Sequence, residues 1–350
     1  MVHRGQNRSK NVPSVDQAGI HTAFPRSTSV LFFQDARPIG EKEEVGHHAR
    51  MSPLEQITLR ARSGAPALRT GINLALGGGF ARGFAHLGVL QVLEQNQIPI
   101  AAIAGTSVGS ILGAAYASGA PLARIIATCR TLRFRDIARW RVSRLGLASN
   151  HRLGDLIERV FESRRFEELH IPMAVVATDL ATGEPVVFTQ GNLVDAIRAS
   201  CAFPGLFEPV EIGTRCLADG GLVAPVPAQA ARQLGPGCVL AVSVGIEDGH
   251  RGAPSNIFQV VSRAVSAAQK HQLEVWERHS DLVLRPDVQS LAWDDFDRAG
   301  EAIAAGAAAA RNAIPRIQKL LEWTAAPTLD LKASLEAGTQ RHLQLAEVLR

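Results

Sequence analysis

Between residues 72 and 119 the chain runs twice through the same sequence: a short apolar run, a glycine turn, then a helix. The first unit is Ile72 to Leu76, then Gly77-Gly78-Gly79, then a helical pattern from Arg82 to Gln95. In that pattern Phe84, Leu87, Leu90 and Leu93 recur near helical spacing. The second unit is Ile100 to Ala104, then Gly105-Thr106-Ser107-Val108-Gly109, then a helix of small residues to about Gly119. Two consecutive apolar strands, each followed by a helix, imply a parallel sheet with crossover helices. The pattern therefore predicts an α/β fold. Further strands are predicted at 173–178, 186–189, 210–212, 239–244 and 281–284. Helices are predicted at 153–161, 193–199, 227–234, 257–278 and 296–322.

Residues 1–70 break this regularity. They mix Pro, Ser, Gly, His and charges without a period, and read as a disordered or loosely packed N-terminal extension. One apolar stretch within them, Val30-Leu31-Phe32-Phe33, has the composition of a docking strand. Residues 71–290 form the expected α/β domain, and 291–350 a C-terminal helical segment packing on it or trailing it. The net charge of +4 sits in the leader. Residues 1–70 hold 10 Lys and Arg against 6 Asp and Glu, while residues 71–350 hold 27 of each. The folded body is neutral overall, which argues against nucleic acid as a partner. No apolar run approaches the roughly 20 residues that span a bilayer, and residues 1–13 lack the apolar centre of a secretory signal. Four cysteines without CxxC spacing give neither a zinc site nor a disulfide framework. The expected setting is a reducing cytoplasm.

Three motifs carry chemistry. In Gly105-Thr106-Ser107-Val108-Gly109 a serine stands between a predicted strand and a predicted helix. A hydroxyl is a weak nucleophile unless a sharp turn presents it beside a base. Flanking Gly105 and Gly109 let such an elbow close. The second motif is Gly77-Gly78-Gly79-Phe80-Ala81-Arg82-Gly83. A phosphate-binding P-loop would need Lys and Ser or Thr where Phe84 and Ala85 stand. A dinucleotide fingerprint starting at Gly77 would need glycine at Arg82, and one starting at Gly78 would need it at Phe80. An oxyanion hole, in which successive backbone N–H groups face a developing negative charge, fits better; a tight structural turn is the alternative. The third motif, Asp219-Gly220-Gly221, follows an apolar run. Alone it reads as a turn, and it gains weight only beside the other two.

In this order and context the three motifs resemble the patatin-like phospholipase family, especially its bacterial members. The linking segments Ala177-Thr178-Asp179-Leu180-Ala181-Thr182-Gly183 and Ala199-Ser200-Cys201-Ala202-Phe203-Pro204-Gly205 share the likeness, which covers about residues 71–290. Phe80 departs from it, since relatives often carry a small residue there. The resemblance implies a three-layer α/β/α fold with a mostly parallel central sheet. It implies a lipid acyl hydrolase working through a Ser107–Asp219 dyad and an acyl-enzyme. Gly77, Gly78, Gly79 and Arg82 would line the oxyanion hole. No metal or other cofactor is implied, and the partner is a phospholipid or another lipid ester.

Two other readings remain. A Ser–Asp–His triad on an α/β-hydrolase would draw its histidine from late in the chain, with His250 first and His271 and His279 behind it. His86 reads as a packed helix residue. A lipid-binding scaffold without turnover would be expected to have lost the dyad, yet both residues are present. Finally, residues 131–147 set Arg133, Arg135, Arg139, Arg141 and Arg144 among Phe134 and Trp140. This stretch reads either as a solvated surface helix or as a peripheral contact with the inner face of a membrane.

Overall fold

The computed structural model describes residues 31–32, 71–245, 253–254 and 257–325, except 142 and 162. Nine strands form one mixed sheet. They are β1 (Leu31–Phe32), β2 (Ile72–Leu76), β3 (Ile100–Thr106), β4 (Met173–Asp179), β5 (Pro185–Phe188), β6 (Val210–Ile212), β7 (Arg215–Asp219), β8 (Cys238–Val242) and β9 (Leu282–Leu284). The order across the sheet is β1-β5-β4-β3-β2-β8-β9, with β7 on β4 and β6 on β7. Parallel pairs run from β9 through β8, β2 and β3 to β4. The antiparallel pairs gather at β4, with β5 and β7, and at β6 with β7.

Strand alternation builds the three layers. Leu74, Leu76, Ile103, Val175, Leu240 and Val242 all point to one face and join the larger core. Their neighbours Ala75, Ala104, Ala174, Val176, Val239 and Ala241 point to the other. The large-residue face is covered by helices α1 (Ala85–Gln95), α2 (Val108–Ala117) and α8 (Ala299–Ala325), with α3 (Leu122–Thr131), α4 (His151–Val160) and α5 (Leu193–Ser200) extending that layer. The alanine-rich face takes α6 (Ala228–Gln233) and the turn of helix bearing Trp276. Truncating any of the fully buried leucines would cost about 2–5 kcal/mol. α8 meets α1 at very short range: a Cβ on Gly88 would fall 1.9 Å from the Ile303 carbonyl oxygen. Only glycine lets these backbones touch. α7 (Ile257–Lys270) lies beside the Gly220–Leu222 turn.

Most predicted elements appear within a residue or two of their expected bounds. The helix expected from Arg82 begins instead as a 3-10 turn, Phe80–Phe84, before α1 takes over. The single helix expected over 257–278 is broken into α7 and Leu273–Glu277. Residues 131–147 are not a helix. They hold one helical turn, Phe134–Ile137, and then a ribbon pairing Arg139–Trp140 with Ala148–Ser149. Of the expected docking strand, Leu31 and Phe32 pair in parallel with Val186 and Val187; the rest of the leader and residues 326–350 lie outside the described residues.

Candidate active site

β4 brings the site together. β3 pairs with its first half, ending at Thr106 opposite Val176. β7 runs the other way and pairs with its second half, ending at Asp219 opposite Ala177. The carboxyl ends of β3 and β7 therefore meet head to head at adjacent residues of β4. Ser107 and Asp219 are the residues at those two ends, 112 positions apart in sequence.

Ser107 sits in a forced conformation, with φ 51° and ψ −126°. L residues avoid that region unless the surroundings hold them there. Two features do so. Its N–H donates to Ser200 Oγ at 2.9 Å, and the Ser200 hydroxyl donates on to the Val176 carbonyl of β4 at 2.6 Å. Gly109 then lets α2 pass close to β2, where a Cβ would fall 2.2 Å from the Leu76 carbonyl oxygen. Ser107 is only 8% exposed.

Asp219 is 4% exposed. Its Oδ1 accepts from the Gly221 N–H at 2.7 Å, and its carboxylate is hydrogen-bonded by the Ser107 side chain. Burial pushes its pKa up to about 6, against the pull of those two hydrogen bonds. Thr178 steadies the strand end by donating to the Asp219 carbonyl at 2.8 Å. Cys201 lies beside the pair, and burial pushes its thiol far up, so it stays neutral.

The glycine turn after β2 lies alongside. A Cβ on Gly78 would fall 3.3 Å from Ser107 Cβ. Its backbone is divided between two tasks. Gly77 N–H donates to Val242 and Gly78 N–H to Pro225, so both are engaged within the protein. Gly77 C=O accepts from His86 Nε2 at 2.8 Å. A carbonyl only accepts, so His86 carries its proton on Nε2. Burial lowers the pKa of His86 to about 4, and Nδ1 has no partner. This histidine is a neutral pin, not a base. The N–H groups of Gly79 and Phe80 enter no hydrogen bond among the described residues. Phe80 is itself at φ 51°, and its ring wedges edge-on against Phe203 and Trp293 at 5.3 and 5.2 Å. Arg82 is buried and donates through Nε to the Leu291 carbonyl at 2.8 Å. Its side chain thus ties the turn to the 291 loop.

Two cavities meet at Ser107. One is walled by Ile111, Leu112, Ile125, Leu153, Ile157 and Phe207 among other apolar side chains. The other is lined by Gly78, Gly79, Arg82, Asp219 and, from α7, Ser262, Ser266 and Gln269. Ser107, Asp219, Gly78, Gly79 and Arg82 are thus brought together as the sequence predicts, while Gly77 stands behind them. Thr178 and Ser200 stand in the two linking segments that share the family likeness, but nothing in the sequence pointed to their roles or to the α7 side chains. Among the described residues no histidine lines either cavity. His271 and His279 lie elsewhere, and His250 is outside the described residues.

The sequence profile described as patatin-like phospholipase matches residues 74–232, which take in both Ser107 and Asp219. Residues 74–232 form a patatin-like phospholipase domain. An uncharacterized NTE family protein of Mycobacterium tuberculosis is 38% identical over 193 residues, covering 53% of each chain. Patatin-like phospholipase domain-containing protein 6 of Homo sapiens is 33% identical over 51% of this chain and 14% of its own length. A lysophospholipase of Candida glabrata is 30% identical over 57% of this chain and 12% of its own length. The chain therefore spans about half the length of the mycobacterial relative, and far less of the others. Among solved structures, VipD from Legionella pneumophila aligns at 13% identity over 73% of this chain and 67% of its own, with a TM-score of 0.40.

Proposed function

We propose that this chain hydrolyses carboxylic ester bonds of lipids through an acyl-enzyme on Ser107, with Asp219 as the base. The observation that carries the reading is the junction at Ser107: an acid–hydroxyl pair standing between an apolar chamber and a polar cleft. An acyl chain fits the chamber and the alcohol half of the ester fits the cleft. Ser107 Oγ attacks the carbonyl carbon while Asp219 takes its proton. The oxyanion accepts from the N–H groups of Gly79 and Phe80, beside the N-terminus of α2. Collapse expels the alcohol, which leaves with the proton from Asp219. Water then attacks the acyl-serine, Asp219 removes its proton, and the fatty acid departs with the serine hydroxyl restored. Arg82 acts by holding the glycine turn.

The partner is a phospholipid or other lipid ester, met at the cytoplasmic face of a membrane that residues 131–147 touch peripherally. No described helix is long and apolar enough to cross a membrane. The test is hydrolysis of a short p-nitrophenyl ester and of phosphatidylcholine vesicles in EDTA, with wild type, Ser107→Ala, Asp219→Asn and His250→Ala. Activity lost in the first two variants and kept in the third supports the dyad. Loss in His250→Ala as well would favour a triad, and a folded but inactive wild type would favour a scaffold.

A further inference from the structure

We infer that the 203–207 loop, with an exposed ridge on either side, forms a docking face for an anionic lipid surface. The inference rests on the lipid-hydrolase reading for its purpose, but its evidence is separate. The first ridge is the ribbon at 139–149. Trp140 and Leu145 are each 67% exposed, and Leu147 stands out beside them. Arg135, Arg139, Arg141 and Arg144 surround these side chains, all exposed and none paired with a carboxylate among the described residues. Of the acids nearest in sequence, Asp136 accepts from the Arg133 backbone at 2.8 Å, while the Arg133 side chain pairs with Asp297 at 3.0 Å. Glu208 at the foot of the ribbon is half-buried.

The second ridge is the start of α7, where Ile257 is 70% exposed and Val260 46%. The 203–207 loop joins the two. Leu147 and Ala148 both donate to the Leu206 carbonyl, at 3.1 and 2.8 Å. On the other side, a Cβ on Gly205 would fall 3.9 Å from Val261 Cγ2. Phe207 from this loop lines the apolar chamber, and Phe203 lines the polar cleft. Phe134 couples the ribbon to that lining, its ring 5.8 Å from Trp140 and 6.3 Å from Phe207.

A water-soluble ligand gains nothing from tryptophan and leucine held in solvent. A bilayer does, because Trp rests at the head-group level and Leu in the acyl boundary. Unpaired arginines around them select lipids with net negative charge. Docking this face sets the lining of both cavities against the membrane, so a lipid leaves the bilayer with its chain already toward the chamber.

The test is co-sedimentation of full-length Ser107→Ala protein, which removes hydrolysis from the readout. The vesicles are phosphatidylcholine alone and phosphatidylcholine mixed with phosphatidylglycerol. Binding is expected on the mixed vesicles, falling as salt rises. Replacing Arg139, Arg141 and Arg144 by Gln should weaken it roughly fivefold per arginine. Replacing Trp140 and Leu145 by Ser should weaken it on both vesicle types. Each set, placed in the wild-type background, should keep its melting temperature and its turnover of a soluble short ester while losing turnover of vesicle lipid. Equal binding to neutral and anionic vesicles, or full binding by the Gln variant, would overturn the inference. Binding by a wild type that cleaves no ester would instead overturn the hydrolase reading and leave the docking face standing.

Discussion

After β2 the chain turns through three glycines and presents backbone; after β3 it turns through a serine and presents a side chain. Both turns join a buried strand to a helix on the same face of the sheet. They differ in how their strain is held. The glycine turn has little intrinsic stiffness, since glycine has the most conformational freedom to lose. It is fixed from outside by five hydrogen bonds: to Val242, Pro225, His86, through the Ala81 N–H to Trp293 and, through Arg82, to Leu291. The serine turn holds Ser107 itself at positive φ and is fixed by two buried hydroxyls, Ser200 accepting from the Ser107 N–H and Ser110 donating to its carbonyl. In the proposed mechanism the oxyanion site is set by which N–H groups the fold leaves unused, and the nucleophile by which backbone the fold forces.

Substitutions at three residues probe that difference, in falling order of effect. Asp219→Asn removes the base that serves the serine turn and should lower kcat by about 10³-fold or more. Wild-type kcat/KM should rise with pH and level off above about 6, because the carboxylate must be ionised to take the proton. Stability should move the opposite way. The folded pKa is raised, so the folded state binds the extra proton between about 4 and 6 and loses stability as pH rises through that window. Asp219→Asn should therefore melt higher than wild type at pH 8, by on the order of 2–3 kcal/mol, with the gain fading toward pH 4. A variant that is inactive but no more stable at pH 8 would count against a buried ionised base.

His86→Phe keeps the bulk but removes the pin on the glycine turn. It should cost about 10²-fold in kcat, as loss of an oxyanion donor does, with KM little changed. His86→Gln can still donate to the Gly77 carbonyl and should recover much of the rate. A pH profile unchanged in both separates a pin from a base. Affinity for a trifluoromethyl ketone should fall in step with kcat, which a merely destabilised fold would not produce. Ser200→Ala should have the smallest effect: about tenfold in kcat, and about 1–3 kcal/mol of stability for the Ser107 N–H left without its acceptor. A loss of stability without loss of rate would show that the serine turn holds its shape unaided.

The strand–turn–helix units and Ser107 were legible because they rest on local sequence, namely apolar runs, glycines and helical spacing, while Asp219 gained weight only from standing beside the other two motifs. What the sequence did not reveal was relational. Gly77, Gly78 and Gly79 look alike in sequence, yet only their neighbours Val242 and Pro225 decide which N–H groups are spent, which in the proposed mechanism leaves the donor role to Gly79 and Phe80. Phe80 looked anomalous until its ring was seen to pack between Phe203 and Trp293. The chamber was hidden because Leu153, Ile157 and Val160 recur on α4 at the helical spacing that a core-facing stripe also has. Residues 131–147 misled because a cation-rich segment with spaced aromatics suggests a helix. The ribbon forms instead because Leu147 and Ala148 are drawn into hydrogen bonds with Leu206.

The most direct measurement is peptide mass mapping after treatment with a long-chain alkyl fluorophosphonate, which attaches to an activated serine and carries an apolar tail for the chamber. One adduct is expected, on the peptide bearing Ser107, absent in Ser107→Ala and strongly slowed in Asp219→Asn. An adduct on another serine, or labelling of Ser107 at an undiminished rate without Asp219, would contradict it.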